Sequence, residues 1–375
     1  MNKNKFRTFA TILLVAISLY FFLTSIGLMG KAFKGFGGEF AEILLRTTSN
    51  PFVALFVGIL ATSLVQSSST TTSIVVGMVA SGMITVGNAI PIVMGANIGT
   101  TVTNTLVALG HITRREEFKR AISGATVHDF FNLICVAILF PLELGTGFLQ
   151  KSATFLSMSF VNAGGIKFTS PIKMAIDPTI DFTKYVFTKF LNLPHHLAYS
   201  LILIVSIIML FLSLFSIVRL MKSLVINRTE SVLDKVIGKN GFIGIFAGLL
   251  FTIVVQSSSI TTSLLIPLIG AGIITVETIF PITMGANIGT TTTAILASFA
   301  TGNPAAITIA FVHFLFNITG VLFIYPIKIM RSIPINLAKN FGNLAFKKRR
   351  YALIYVFSIF FLIPGLLIVI SKLIK

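Results

Sequence analysis

The stretch QSSSTTTS, Gln66 to Ser73, returns as QSSSITTS at Gln256 to Ser263, and each copy is followed 29 residues after its Gln by GANIGTT, starting at Gly95 and at Gly285. The copies lie 190 residues apart, and residues 66–104 align with 256–294 at 22 identities in 39 positions. The chain is a duplication. Identity is densest at Gln, Ser, Thr, Asn and Gly, while the apolar residues between them drift among Ile, Leu, Val and Met. A repeat kept for packing would conserve its apolar positions; one that keeps hydroxyls and an amide points to two half-sites that hold something polar.

A run of eight Gln, Ser and Thr is polar all round any helix, so it faces protein or water and never lipid. It marks the tip of a helical hairpin, where one helix ends and the next begins. Ser and Thr are natural caps for the free backbone N–H groups there, and an exposed helix N-terminus attracts anions. GANIGTT places glycine on either side of Asn97 and of Asn287. That spacing predicts an unwound stretch inside a span, supported by Gly95, Gly99, Thr100 and Thr101 and by Gly285, Gly289, Thr290 and Thr291. Its carbonyls and hydroxyls are the hard oxygens small cations prefer. The plainer alternatives are glycine at i and i+4 as a helix contact and QSSS as a polar lining.

With 375 residues, 55% hydrophobic and 11% charged, the chain falls among integral membrane proteins and forms one transmembrane domain, residues 1–375. Full spans are expected at Phe9 to Gly30, Asn88 to Gly110, Ala121 to Leu142, Leu197 to Val218, Thr278 to Ala300, Pro304 to Pro326 and Tyr351 to Ile370. The length of the first, and its lack of a small-residue cleavage site, argue against a cleaved signal peptide. One cysteine excludes an internal disulfide, and five histidines without cysteine clusters speak against zinc. The net charge of +18 lies between apolar segments, as topological anchoring requires, and does not indicate a nucleic-acid partner.

The remaining stretches, Pro51 to Gly82 and Gly241 to Gly272, decide the topology. As single crossings they divide the 29 basic residues 15 against 14; as hairpins that enter and leave on one side they give 19 against 10. The positive-inside rule selects the hairpins. The expected fold is therefore all-α: two inverted repeats, each with a re-entrant hairpin and a broken transmembrane helix, about seven full spans plus two hairpins. The repeat cores are 51–142 and 241–326, the N-terminus is cytoplasmic, and the 54 residues of 143–196 form an extracellular loop. The match extends from His128 and Asn132 to His313 and Asn317, with both histidines assigned to packing or hydrogen bonding.

No charged residue occurs from Pro51 to Gly110, and only Glu277, read as interfacial, from Gly241 to Ala300. An anion site made of these pieces has no Lys or Arg, yet an unpaired buried ion costs on the order of 20 kcal/mol by idealised solvation. Two helix N-termini supply about +0.5 each. A divalent anion is then roughly one charge short, so bound cations must complete the balance. Asp129, opposite Phe314 in the second copy, is the one mid-span carboxylate and is expected to ligate sodium with Asn132.

The paired QSSS and GANIGTT segments, with GATVHDFFN at Gly124 to Asn132, closely resemble the type II sodium-dependent phosphate cotransporters over roughly half the chain. The resemblance implies electrogenic, sodium-coupled uptake of inorganic phosphate, with sodium as coupling ion and no other cofactor. It implies that Ser67, Ser68, Ser69 and Thr70 with Ser257, Ser258 and Ser259 contact phosphate. Gln66, Gln256, Thr105 and Asn132, beside Asp129, Asn97 and Asn287, would then bind sodium or order the tips. His111 and Arg114 depart from the polar and acidic residues of animal members, and the external loop lacks their disulfide. A phosphate exporter, a symporter of another small oxyanion and an intramembrane serine hydrolase are the alternatives. The hydrolase would need a matched base, which the sequence does not offer. Membrane lipids surround the chain, and a homodimer is left open.

Overall fold

Residues 3–162, 171–236 and 241–373 are described in this computed structural model, and among them every regular element is helical. In chain order these are α1 (Lys3–Thr48), α2 (Pro51–Val65), α3 (Ser68–Ser81), α4 (Val86–Thr100), α5 (Val102–Leu109) and α6 (Arg115–Thr146). Then follow α7 (Phe148–Asn162), α8 (Pro171–Tyr185), α9 (His195–Val236), α10 (Gly241–Val255), α11 (Ser258–Ser263) and α12 (Ile266–Gly270). The last are α13 (Val276–Thr301), α14 (Pro304–Ile324), α15 (Lys328–Lys347), α16 (Arg350–Phe357) and α17 (Ile363–Leu373), with one π turn between the final two.

Among the described residues, six helical segments are long and apolar enough to cross a membrane: 8–36, 86–109, 115–146, 195–220, 304–324 and 350–371. The seventh expected span, α13, has 26 residues, ample length, but its centre carries four consecutive threonines and its hydropathy falls accordingly. By contrast α2 and α10 have 15 residues each, about 22 Å at ~1.5 Å per residue, short of a hydrocarbon core ~30 Å thick. The segment 86–109 is 78% buried and 350–371 only 17%. The helices that carry the repeated motif are therefore internal, and those richest in exposed Leu, Ile and Phe are peripheral. In α9, Ile204, Ile208, Leu212 and Phe215 form an exposed stripe at helical spacing.

Each expected hairpin turn is made the same way. Helix α2 starts at Pro51 behind Asn50, whose side chain accepts from the N–H groups of Phe52 and Val53, and ends at Gln66, left-handed at φ 56°. Ser67 is extended, and its hydroxyl accepts from the Thr70 N–H, so α3 begins at once. In the second copy Gln256 is left-handed at φ 58° and Ser257 caps through the Ile260 N–H. A glutamine in this backbone region is uncommon, and here it occurs twice at matching positions. The copies differ beyond the turn. Helix α3 runs unbroken through Gly77, whereas its counterpart stops after Ser263 and restarts as α12 with Pro267 in its first turn.

The GANIGTT segments are not unwound. Gly95 to Thr100 lie inside α4, which is interrupted only at Thr101 before α5, and Gly285 to Thr291 lie inside the continuous α13. The expectation of an unwound stretch is corrected by the contacts these glycines make. A Cβ on Gly95 would stand 2.0 Å from the Leu55 carbonyl oxygen, and one on Gly285 1.9 Å from that of Ile245. Gly58 and Gly248 approach the Ile92 and Ile282 carbonyls equally closely from the other side. Glycine at i and i+4 thus lets α2 ride on α4 and α10 on α13, the small-residue contact of membrane helices.

The 143–196 stretch is also more ordered than a loop. It contains α7, packed on α14, and α8, packed on α1; its centre, 163–170, lies outside the described residues. Glu143 makes the turn into α7, its carboxylate accepting from the N–H groups of Leu149 at 2.6 Å and Gln150 at 3.3 Å.

Replacing Gly95 or Gly285 with Ala inserts a methyl against backbone and should lower stability by about 1–3 kcal/mol or more. Gly30→Ala, with nothing within 4 Å, should be neutral or stabilising. Thermal midpoints of the purified variants in detergent check both; equal midpoints would remove the close-contact explanation.

Candidate binding site at the two serine-threonine turns

Capping leaves little of each turn unused, and what remains is directed chemistry. Ser67 takes the Thr70 N–H, and the Thr71 N–H bonds the Ser67 carbonyl, so the first intrahelical partners are consumed there. The N–H groups of Ser68 and Ser69 belong to the first turn and have no acceptor within the helix. Ser68, Ser69 and Thr70 are buried, as is Ser258, while Ser257 and Ser259 are half-buried. Helix α3 packs against α13 of the other copy, and α11 packs against α5. The helix that follows each turn therefore packs on a helix of the other copy, α3 on the motif helix α13 and α11 on α5, just after the first motif.

Between the copies runs a chain of buried amides around one imidazole. Thr262 Oγ1 donates to Asn104 Oδ1 at 2.8 Å, and Asn104 Nδ2 meets His128 Nδ1 at 3.2 Å. His128 Nε2 is 2.6 Å from Asn287 Oδ1, and Asn287 Nδ2 donates to Asn132 Oδ1 at 2.8 Å. Asn132 Nδ2 in turn donates to the Asn97 carbonyl at 2.7 Å, while Asn317 Nδ2 donates to Asn97 Oδ1 at 3.2 Å. With the Asn132 amide fixed by the Asn97 carbonyl, Asn287 presents its oxygen to His128 Nε2, which donates to it, and Asn104 oriented toward Thr262 donates to Nδ1. Six elements are fastened by these bonds: α4, α5, α6, α11, α13 and α14.

Asp129 lies one residue along α6, fully buried. Thr105 Oγ1 donates to Oδ2 at 3.4 Å, and the hydroxyls of Thr101 and Tyr355 stand nearby. Oδ1 has no hydrogen-bond partner, nor does the Tyr355 hydroxyl. A carboxylate oxygen left unpaired among hydroxyls, with no cationic side chain bonded to it, is a donor set suited to a small hard cation.

The two turns are not in the same condition. In the second, Gln256 Oε1 accepts from Thr293 Oγ1 at 2.9 Å, its Nε2 donates to the Ile253 carbonyl, and Thr252 donates to Thr261 at 2.7 Å. In the first, the matching hydroxyls of Thr103 and Thr62 have no partner, and Gln66 is exposed. The imidazoles differ likewise, since neither ring nitrogen of the buried His313 is bonded. Asn104 explains part of this, because its counterpart is Ala294.

Of the residues expected to bind sodium, the structure brings Thr105 to Asp129. It places Asn97, Asn132 and Asn287 in the amide chain, ties Gln256 to Thr293, and leaves Gln66 exposed at its turn. His111 and Arg114 both bond Glu117, at 3.3 and 2.9 Å. Sequence reasoning missed Asn104, Thr262 and Tyr355. The first was marked by its failure to repeat; the last carries no local signal, since it approaches from the distant α16.

The Na+/Pi-cotransporter family matches the chain over residues 21–114 and 209–333. The chain is 36% identical to the sodium-dependent phosphate transport protein 2B of Homo sapiens, over 96% of this chain and 65% of that protein. It is 37% identical to the sodium-dependent phosphate transport protein 2A of Rattus norvegicus, over 94% and 66%, and to that of Ovis aries, over 93% and 66%. It thus spans a little under two thirds of the length of these relatives. No solved structure matches it.

Two outcomes are expected. In Asn287→Ala the His128 N–H and the Asn132 oxygen lose their partners, which should cost about 1–3 kcal/mol in thermal unfolding without added sodium. A cysteine at Gln66 should react with a small thiol reagent faster than one at Gln256, against a low background because the only native cysteine, Cys135, is buried. Equal labelling rates would mean the two turns are equally closed.

Proposed function

The chain belongs to the Na+/Pi-cotransporter family, and on that premise we propose that it carries inorganic phosphate into the cell together with sodium, by alternating access. It is a multi-pass membrane protein, and phosphate and sodium are its cargo. The units that do the work are the two repeat cores, 51–142 and 241–326. In this reading α2–α3 and α10–α12 are re-entrant hairpins that dip in from opposite faces, outside and inside respectively. The N-terminus is cytoplasmic and 143–196 is external. What carries the reading is the doubled turn: a left-handed Gln followed by a capping Ser, with the helix that follows each packed on a helix of the other repeat.

The phosphate lies between the turns, met by Ser67, Ser68, Ser69 and Thr70 and by Ser257, Ser258 and Ser259, with the free N–H groups of α3 directed at its oxygens. Helix termini neutralise only about one of its two charges. Sodium supplies the remainder. Asp129 and Thr105 hold one ion, and Gln66 and Gln256 order the turns around the others. Asp129 adds a negative charge that demands one cation more than a site without it, and with that extra sodium transport is electrogenic, as the likeness of this position to the type II cotransporters implies. Coupling follows because either ion alone leaves the site uncompensated.

The motion exchanges the two turns. Thr293–Gln256 and Thr252–Thr261 hold the second closed while the first is released; the opposite state closes Thr103 and Thr62 on the first and frees the second. The lengthwise pair α1 and α9 stays fixed.

Radiolabelled phosphate uptake into proteoliposomes tests this. Uptake should require an inward sodium gradient, evoke current, and fall at least about tenfold in Ser68→Ala, the scale of a hydrogen bond to an anion at ~1.5–3 kcal/mol. Asp129→Gly should keep uptake and lose the current. Uptake indifferent to sodium overturns the coupling, and arsenate or sulfate competing as well as phosphate overturns the cargo.

A further inference from the structure

Away from the turns, a cavity of about 390 Å³ opens where α6, α15 and the start of α13 meet. Lys119, Arg120 and Ser123 line it from α6, Glu277 from α13, and Lys339 and Asn343 from α15. Three cations face one carboxylate there. Lys339 pairs with Glu277, the Lys119 ammonium lies 5.6 Å from the centre of the Phe346 ring, and Arg120 spends one of its five donors on the Gly270 carbonyl at 2.8 Å. The cavity keeps a positive excess of about two charges.

Its depth in the bilayer follows from the helices around it. Lys119 and Arg120 occupy the second turn of α6, immediately before the apolar part of that span. Helix α15 buries Pro334, Ile335, Ala338, Gly342 and Ala345 on one face and exposes Ile329, Ile333, Leu337 and Leu344 on the opposite one. A helix whose outer side carries an apolar stripe beside exposed Asn336 and Asn340, and whose ends are basic, lies in the boundary between headgroups and acyl chains. Lys347, Lys348, Arg349 and Arg350 follow directly. The cavity is thus a basic pocket between helices at the depth of lipid phosphates.

We propose that this pocket binds the phosphodiester headgroup of an anionic phospholipid, with Lys119, Arg120 and Lys339 on the phosphate and Asn343 on the headgroup hydroxyls, while the acyl chains run along the exposed apolar face of α15. Free phosphate shares the oxyanion chemistry but would leave that face uncovered. Through Arg120 and Gly270 the bound lipid braces the end of the second repeated segment against α6. The proposal rests on the membrane-spanning reading of α6 and is independent of the cargo.

Native mass spectrometry of the full chain, released from neutral detergent after titration with phosphatidylglycerol or phosphatidylcholine, provides the test. Phosphatidylglycerol should be retained at least tenfold more than phosphatidylcholine, and Lys119→Gln with Arg120→Gln should remove the preference. Because Arg120 also braces the fold, Lys119→Gln alone, which keeps the Arg120 bond to the Gly270 carbonyl, should reduce the preference severalfold in a chain that melts as the wild type does. Equal retention of both lipids by the wild type overturns the proposal, as does an unchanged preference in both variants. Displacement of phosphatidylglycerol by millimolar inorganic phosphate assigns the pocket to the free ion and overturns it too. Transport is not read in this experiment, so its failure leaves the phosphate-uptake reading untouched.

Discussion

Between the two repeats, where the side-chain amides are buried, the bond from His128 to Asn287 fixes the groups around it. Once the imidazole gives its proton to Asn287, Asn104 must donate to the other ring nitrogen. That leaves the Asn104 oxygen free for Thr262 and commits Asn287 to Asn132 and Asn132 to the Asn97 backbone. A single chain of this kind admits one direction, because reversing any amide leaves two buried groups unsatisfied. The elements it joins come from both copies, so the duplication is held in register by polar bonds. Apolar packing alone, with drifting Ile, Leu, Val and Met at the interfaces, would specify that register poorly.

The repeat, six of the seven expected span positions and the place of both turns were legible in the sequence because polarity is costly in a membrane and therefore conspicuous. QSSS could only be a turn or a lining, and the boundaries read at Pro51, Gln66 and Gly82 are those of α2 and α3. The glycines of GANIGTT misled for a physical reason. Glycine permits unwinding and also permits contact, and the sequence shows only the permission. What decided between them was the other helix: Gly58 facing Ile92 and Gly248 facing Ile282 are needed before the contact exists. Tyr355 beside Asp129 was illegible altogether, since nothing in YALIYVF announces where that helix will lie.

The copies share a frame and have parted in chemistry. Asp129 stands against Phe314, Asn104 against Ala294, Thr105 against Ile295 and Gly77 against Pro267. The first copy thus owns the carboxylate and its threonine, and the second owns the interrupted α11–α12. In the transport reading proposed for this chain, the duplication gives access to one centre from two sides, and the divergence puts the proposed ion ligands in the first copy. The buried carboxylate has the Thr105 hydroxyl on one oxygen and no partner on the other, which is the opening the proposed sodium ion would fill.

Where no Cβ separates two backbones, the helices can neither rotate past one another nor part without opening a void. Gly58, Gly95 and Gly99 bind α2 to α4 in this manner, and Gly248, Gly285 and Gly289 bind α10 to α13. Each pair is consequently a plank, and bending is confined to the joints between planks and returning arms: the left-handed Gln at one end, and the short links holding Gly82 and Gly272 at the other. The interruption at Thr101 gives the first plank an elbow that the second, with its continuous α13, does not have. In the alternating-access cycle proposed for this chain, a stroke built on one stiff board and one jointed board would not be symmetric, and its outward and inward half-cycles would travel over unlike barriers.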